Sequence, residues 1–406
     1  MLMGGRTAII VGGSLGGLFA ANMLHRAGWN VRVLERSGAA LAGRGAGIVT
    51  HPELLDCLSL AGVAVDDTVG VRIPGRVTLH QSGWTLLQSD LPQVLTAWGR
   101  LYHLLKAALP DNLYRFDANV RAIEQDPGGV SAVLADGGRE RGDLLIGADG
   151  IRSTVRALLQ PSAKPVYAGY IAWRGMADEK NLTPETHAAL FERFAFCLPP
   201  GEQMLGYPIA GEDNSVAPGR RRYNYVWYRP ADEIAVLPDL LTDQTGTHHP
   251  EGIPPGLIRD EVRVAMLKAA DDILAPQFAE VVRKSRQPFF QPIFDLESPR
   301  IAFGRVALLG DAAFVARPHC GMGVTKAGAD ALELVRALEG PRSVEDALRA
   351  YESKRVPFGA FIVGHARHLG AYMQAQQKSD AERRMAERYR TPEAIMRETA
   401  VPPPPP

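Results

Sequence analysis

Glycine-rich turns that follow short apolar runs could hold a phosphorylated cofactor in this chain. The first is Gly12-x-Ser14-x-x-Gly17, between the apolar run 7–11 and a helical pattern. Such a turn lets backbone N–H groups and a helix N-terminus face a pyrophosphate. Glu35 ends the next apolar run, where a carboxylate can accept hydrogen bonds from a ribose. The pattern predicts binding of FAD or NAD, with an ordinary glycine-rich turn as the alternative, since Ser14 replaces the usual middle glycine.

Two further segments carry carboxylates at the ends of predicted strands. Residues 143–156 contain the run GADG, with Asp149, and then S-x-V-R; the alternative is an ordinary turn with a buried aspartate. Asp311 follows another apolar run, and Gly321 and Gly323 open a helical pattern. A carboxylate at a strand end can bind the ribityl hydroxyls of a flavin. Backbone N–H groups at the helix start carry partial positive charge, which would stabilise a reduced, anionic flavin.

The elements around these segments predict a nucleotide-binding unit interrupted by a β-rich unit. Residues 7–34 read as strand, helix and strand, the start of a parallel sheet. Alternating patterns within 167–290 indicate antiparallel strands, and α/β character returns at 305–338. We therefore expect an α/β fold, a Rossmann-like FAD-binding domain with an inserted antiparallel β-sheet domain. The expected boundaries are 1–70, 97–165 and 286–375 for the first unit, 71–96 and 166–285 for the second, and 376–406 for a tail disordered at its end.

Composition excludes several classes of partner. The chain has 406 residues with 45 basic and 45 acidic side chains, enough for two domains and without an electrostatic signature for nucleic acid or an anionic membrane. Cys57, Cys197 and Cys320 lie far apart and fit neither a disulfide framework nor a CxxC metal site, so we expect a reducing cytoplasm and no bound metal. No run approaches the ~20 apolar residues of a membrane span, and the N-terminus reads as a strand rather than a targeting segment.

Together the three segments resemble the flavoprotein aromatic hydroxylases, over nearly the whole chain. Within that family, GAGIV at 45–49, YAGYIAWRG at 167–175, YPI at 207–209 and ARPH at 316–319 are similar to the 2,6-dihydroxypyridine hydroxylase subgroup, which shares Ser14. The resemblance implies FAD contacts from Gly12, Ser14, Leu15, Gly17, Glu35, Arg36, Arg44, Gly47, Arg100, Val120, Asp149, Asp311, Gly321, Gly323, Val324 and Thr325. Phe314 and Thr325 depart from the family pattern, which has histidine and asparagine there. Neither change removes a backbone contact.

The resemblance also implies an activity. We expect NADH or NADPH and O2 to hydroxylate an electron-rich phenol or hydroxylated N-heteroarene through a C4a-hydroperoxyflavin. Pro318 is expected over the flavin ring, and His319 is predicted to orient or deprotonate a ring hydroxyl. Tyr207 is a further candidate for the catalytic site, and the substrate candidates are Tyr225, Tyr223, Trp173 and Arg174, with core packing as the alternative for each aromatic.

Other functions stay open at this point. An FAD-dependent reductase or oxidase on the same scaffold is one alternative, and a flavin-binding module without turnover is another. The reductant would bind transiently, since the sequence holds no second glycine-rich βαβ unit for it. A helical C-terminal region allows a homodimer.

Overall fold

The computed structural model describes residues 5–41, 47–250, 252–340 and 342–403. Its strands are β1 (Thr7–Val11), β2 (Asn30–Leu34), β3 (Gly47–Thr50), β4 (Val71–Leu79), β5 (Thr85–Ala97), β6 (Tyr114–Arg115), β7 (Val120–Asp126), β8 (Gly129–Leu134), β9 (Arg139–Gly142), β10 (Leu144–Gly147), β11 (Val166–Asp178), β12 (Arg193–Cys197), β13 (Gln203–Ile209), β14 (Arg222–Pro230), β15 (Phe289–Glu297), β16 (Ala302–Phe303), β17 (Val306–Leu308) and β18 (Phe314–Val315). Its α-helices are α1 (Leu15–Arg26), α2 (Pro52–Leu60), α3 (Trp98–Ala108), α4 (Thr154–Leu159), α5 (Pro184–Leu190), α6 (Leu237–Leu240), α7 (Asp260–Ile273), α8 (Pro276–Lys284), α9 (Gly323–Leu338), α10 (Val344–Gly370), α11 (Asp380–Tyr389) and α12 (Pro392–Glu398).

A six-stranded sheet in the order β16-β17-β10-β1-β2-β6 forms the centre of the nucleotide-binding unit. Strands β17, β10, β1, β2 and β6 run parallel, and β16 pairs antiparallel with β17. Its central strands are continuous buried apolar runs, as a parallel sheet covered on both faces requires. Helices α1 and α9 pack against each other beside this sheet. The carboxyl ends of β1, β10 and β17 therefore meet at one edge, where the three glycine turns follow.

The second unit is a nine-stranded sheet in the order β18-β15-β11-β14-β13-β12-β4-β5-β3, antiparallel except where β12 meets β4. One face packs against α7 and α8 through an apolar cluster that includes Trp227 and Phe278. The opposite face carries a second cluster that includes Tyr207, Val226 and Tyr228. The model confirms the predicted α/β fold, a Rossmann-like domain with an inserted, mainly antiparallel sheet.

The sheets do not follow the expected domain boundaries at every strand. β3 lies within 1–70 and β15 within 286–375, yet β3 pairs with β5 and β15 pairs with β11 in the nine-stranded sheet. Within the predicted tail, α11 and α12 are helical, and its last residues, 404–406, lie outside the described residues. Ser379 and Glu382 form a reciprocal cap at the start of α11. None of the helices in the described ranges is long and apolar enough to cross a membrane.

Candidate active site

A first cavity, of about 190 Å³, lies where β1, β2 and β10 end. Its glycine turn leaves no room for side chains, because a Cβ on Gly17 would lie 1.9 Å from the carbonyl oxygen of Gly12. Gly12 itself has φ +102°, a conformation that favours glycine. The lining residues include the predicted Gly12, Ser14, Glu35, Arg36, Val120 and Asp149, together with Leu41, Trp98, Asn119 and Gly150.

Backbone hydrogen bonds fix the orientation of the Glu35 carboxylate in this first cavity. The two carboxylate oxygens of Glu35 accept hydrogen bonds from the backbone N–H groups of Gly13 and Ser37, each at 2.8 Å. Ser14 is the N-cap residue of α1, and its side chain makes no capping hydrogen bond. Its hydroxyl and the first-turn N–H groups of the helix are thus available to an anion. This arrangement fits a pyrophosphate next to a ribose.

Asp149 sits at the rim of the same cavity. Its carboxylate accepts hydrogen bonds from the hydroxyl of Ser153 and from the backbone N–H of Val155. Burial raises the pKa of Asp149, although these hydrogen bonds oppose the shift. The aspartate of the GADG run therefore fixes the start of α4 as well as facing the cavity.

A second cavity, of about 430 Å³, continues from the first and shares Ser14, Trp98 and Gly150 with it. Its lining includes the predicted Leu15, Gly47, Asp311, Gly321, Gly323 and Val324. Gly321, two residues before α9, has φ +66°, so the chain turns sharply there and presents the helix start to the cavity. Asp311 is reachable from the cavity, and desolvation by the surrounding protein raises the pKa of its carboxyl. Hydroxyls and a flavin O2 are the groups that such a lining fits.

A buried ionic network holds the turn that carries Asp311. The Lys326 ammonium donates to the Gly310 carbonyl at 2.9 Å and to Asp330 at 3.1 Å. Asp330 also accepts from the Gly310 N–H at 3.0 Å and from Arg355 at 2.7 Å. Burial alone would raise the pKa of Asp330, but the two cations lower it. Sequence reasoning missed Lys326 and Arg355, since 25 residues separate Arg355 from its partner.

The far end of the second cavity has aromatic and apolar walls from the nine-stranded sheet. Phe194, Leu205, Tyr207, Val226 and Tyr228 line it, each from β12, β13 or β14. The rings of Phe194 and Tyr207 lie 4.9 Å apart, measured between centroids. Flat apolar walls of this kind accept a small planar ring.

His319 closes one side of this end and is buried. Its Nε2 lies 2.8 Å from the Tyr170 hydroxyl, and its Nδ1 is buried without a hydrogen-bond partner in the described part of the chain. Burial, with contributions from Arg317 and Arg174, moves the pKa of His319 well below its usual value. A neutral imidazole with so low a pKa is a weak base. The geometry therefore gives little support to the prediction that His319 deprotonates a ring hydroxyl.

Arg174 projects from β11 into the same end of the cavity. Among the described residues, no carboxylate or hydrogen-bond acceptor pairs with its guanidinium, and its Nε is buried without a partner. Its charge nevertheless acts on its neighbours, since it lowers the pKa of Tyr207 and Tyr228 against the larger effect of their burial. An uncompensated cation in a partly buried cavity is suited to an anionic ligand.

Three substrate candidates lie on the wrong face of the sheet. Side chains alternate along a strand, so Tyr223 and Tyr225 of β14 point away from Val226 and Tyr228. With Trp173 they pack in the apolar cluster against α7 and α8. The prediction that these three aromatics touch substrate is therefore corrected: they are core residues.

Two of the predicted cofactor residues, Arg100 and Thr325, line neither cavity. Arg100 lines neither cavity, because its guanidinium bonds to the carbonyl and hydroxyl of Thr68. Trp98, two residues earlier, lines both cavities and was missed. The Thr325 hydroxyl lies 3.1 Å from His51 Nδ1, so its side chain points away from the second cavity. Arg44 lies outside the described residues.

Comparisons with known proteins agree with this geometry. A family model described as "FAD binding domain" matches residues 6–177, and one described as "FAD binding domain-like" matches 167–295. A 3-amino-4-hydroxybenzoate 2-monooxygenase from Streptomyces cremeus is 30% identical over 380 residues, covering 89% of this chain and 86% of that protein. The chain belongs to the flavoprotein aromatic hydroxylases. It is accordingly an FAD-dependent monooxygenase, and the departure at Phe314 is a packing change, since its ring lies against Gly359 of α10.

This hydroxylase is also similar to the 2,6-dihydroxypyridine hydroxylases. A 2,6-dihydroxypyridine 3-monooxygenase from Paenarthrobacter nicotinovorans is 29% identical over 374 residues, covering 90% of this chain and 91% of that protein. The solved structure of 2,6-dihydroxypyridine-3-hydroxylase from Arthrobacter nicotinovorans matches with a TM-score of 0.85 and 27% identity, covering 93% of this chain and 95% of that one. The fold of this flavoprotein hydroxylase is thus shared along nearly the full length.

Proposed function

We propose that this flavoprotein uses NADH or NADPH and O2 to hydroxylate a small, dihydroxylated N-heteroarene of the 2,6-dihydroxypyridine type. The proposal draws on the similarity to dihydroxypyridine hydroxylases over about nine-tenths of the chain. It also fits the shape of the second cavity, where a helix start and a carboxylate at one end face aromatic walls at the other. We expect the enzyme to act in the cytoplasm, and a homodimer stays a prediction.

The single observation that carries the substrate class is the unpaired Arg174 between aromatic walls. In a 2,6-dihydroxypyridine the two hydroxyls flank the ring nitrogen, so loss of one proton gives an oxyanion that is delocalised over both oxygens and raises the electron density of the ring. Arg174 would bind that oxyanion with charge-assisted hydrogen bonds, while Tyr207 and Tyr228 flank the ring. Arg174 thus takes the role of the cation that the chemistry requires, in place of a histidine base.

Residues of the chain divide the remaining tasks. The turn 12–17 and Glu35 would hold the pyrophosphate and ribose of FAD, and Asp311 with the start of α9 would hold its ribityl chain and ring. Bound FAD would supply the redox chemistry, taking electrons from the reductant and activating oxygen. The buried walls of the second cavity exclude water and hold the ring carbon near the cofactor. His319, kept neutral, adds no charge that competes with Arg174.

The reductant has a separate approach. A third cavity, of about 820 Å³, shares Arg174, Asp311 and Pro318 with the second one and extends along β11 and β15. A nicotinamide entering from that side would reach the cofactor without displacing a ring bound between Tyr207 and Tyr228. Pro318 lines both cavities, which supports the proposal that it lies over the flavin.

A turnover panel tests the proposal. The purified yellow protein is assayed for NADH and NADPH oxidation and for H2O2 with 2,6-dihydroxypyridine, 6-hydroxynicotinate, urate and phenol. We expect 2,6-dihydroxypyridine to stimulate oxidation most, with little peroxide. Stimulation by phenol but not by the heteroarenes would contradict the proposed ring class. Arg193→Met is the matched control for an Arg174→Met variant run in the same panel, since Arg193 lies on β12 and, among the described residues, donates only to the Glu192 carbonyl.

A further inference from the structure

The residues just after α12 form part of the second cavity. Thr399 and Ala400 follow α12 and line the cavity at its substrate end. The Ala400 N–H donates to the His319 carbonyl at 2.7 Å, and a Cβ on Gly321 would lie 3.2 Å from the Ala400 Cα. The C-terminal segment therefore packs directly on the turn that opens α9. Ala400 has φ +55°, a conformation that only surrounding contacts maintain in a non-glycine residue.

One buried cation holds this segment. Arg76 on β4 is 0% exposed, and its Nη1 donates to the carbonyls of Met396 and Thr399, each at 2.7 Å. Its Nη2 reaches the Ala400 carbonyl at 3.4 Å. Gln93 of β5 accepts from Arg76 at 2.6 Å and donates to the Ala400 carbonyl at 3.0 Å.

The burial of Arg76 is not explained by an ion pair within the described residues. Among the described residues no carboxylate pairs with it, and its guanidinium lies 5.0 Å from the centroid of the Phe194 ring. Burial lowers the pKa of Arg76 to about 9. Burying this charge costs free energy, and its hydrogen bonds to the carbonyl groups at the end of α12 offset that cost.

We infer that residues 391–401 form a wall that closes the substrate end of the cavity, and that Arg76 is the positioning residue that holds this wall. The inference rests on the proposed hydroxylation and deepens it. A closed wall keeps water from the reacting centre and delays escape of the ring, so oxygen is transferred to substrate rather than released as peroxide. It also fixes the backbone of His319, beside Arg174.

Arg76→Met tests the role in the full-length, FAD-loaded protein. The change removes the hydrogen bonds to the three carbonyls while keeping an apolar side chain of similar length. We expect trypsin to cut after the exposed Arg397 about tenfold faster or more, since hydrogen bonds to a charged group are lost. The share of NADH consumed to H2O2 should rise several-fold, with FAD content unchanged.

Two further variants sharpen this test. Arg72→Met is the matched control: Arg72 lies on the same strand, is 72% exposed and pairs with Asp67 on the surface. It should match the wild type in both cleavage and peroxide share. Gln93→Leu removes one donor to the Ala400 carbonyl and keeps Arg76, so its effects should lie between those of the wild type and Arg76→Met.

The outcomes separate this inference from the proposed function. Folded, FAD-containing Arg76→Met with wild-type cleavage rate and peroxide share would overturn the inference. If Arg76→Met fails to fold, the same wild-type behaviour in Gln93→Leu overturns it. If no ring stimulates NAD(P)H oxidation by the wild type, the proposed function fails, whereas the cleavage rates still decide whether Arg76 holds the wall.

Discussion

Replacing Arg174 by methionine should weaken substrate binding without weakening the fold. Arg174 has no partner among the described residues, so its role depends on a ligand. Loss of a charge-assisted hydrogen bond costs about 1.5–3 kcal/mol, and each 1.4 kcal/mol is about tenfold in Kd. The Kd of 2,6-dihydroxypyridine should therefore rise about 10- to 150-fold. 2,6-Dimethoxypyridine, in which both hydroxyls are methylated and neither can ionise, should lose much less affinity.

The assay for Arg174→Met is a titration of the flavin absorbance with each ring, next to a thermal unfolding scan. Because the substitution removes a partly buried, uncompensated cation, Tm should stay the same or rise. Arg193→Met on the same sheet should leave both Kd and Tm near wild-type values. A Kd within twofold of the wild type, or equal losses for the ring and its methylated analogue, would refute the assignment. A Tm lowered by several degrees would show a structural role instead.

Three more predictions follow from the same geometry. Gly17→Ala should abolish FAD retention after gel filtration, because its Cβ would lie 1.9 Å from a carbonyl oxygen, whereas Gly99→Ala, with open space around it, should keep the cofactor. Burial lowers the pKa of His319, so at low pH the unfolded state binds a proton that the folded state excludes. The free energy of unfolding should therefore fall as pH drops below about 6.5, by up to about 1.4 kcal/mol per pH unit from this group. Urea titrations of His319→Gln should show that this contribution is lost. Tyr207→Leu should raise the substrate Kd about two- to tenfold, because it removes an aromatic wall that faces the ring, worth about 0.5–1.5 kcal/mol, while Tyr223→Leu, on the other face of the sheet, should not change it.

The cofactor end was predictable because its signals are local. A buried strand, a glycine turn and a helix start lie within about twenty residues in the first segment, and the chain cannot bend through Gly12 and Gly17 in another way. The same holds for Asp311 and Gly321. The contacts that hold these turns were not readable, since Lys326 reaches Gly310 only when α9 packs on that turn, and Arg355 reaches Asp330 only when α10 packs on α9.

The substrate end depends on tertiary structure. Alternation along β14 predicts two faces, but the sequence does not say which one meets the cavity, and the aromatic face with Tyr223 and Tyr225 turned out to pack on α8. The wall formed by residues 391–401 was missed for a related reason. Its composition is that of a charged tail, and its position depends on a single buried arginine more than 300 residues earlier.

We expect this flavoprotein to insert one atom of molecular oxygen into a hydroxylated ring. The most direct test is turnover under 18O2 with NADH and 2,6-dihydroxypyridine, followed by mass spectrometry of the product. We expect a product heavier by one 18O atom, formed in proportion to NADH consumed. A product without label, or NADH consumption accounted for entirely by H2O2, would contradict the claim.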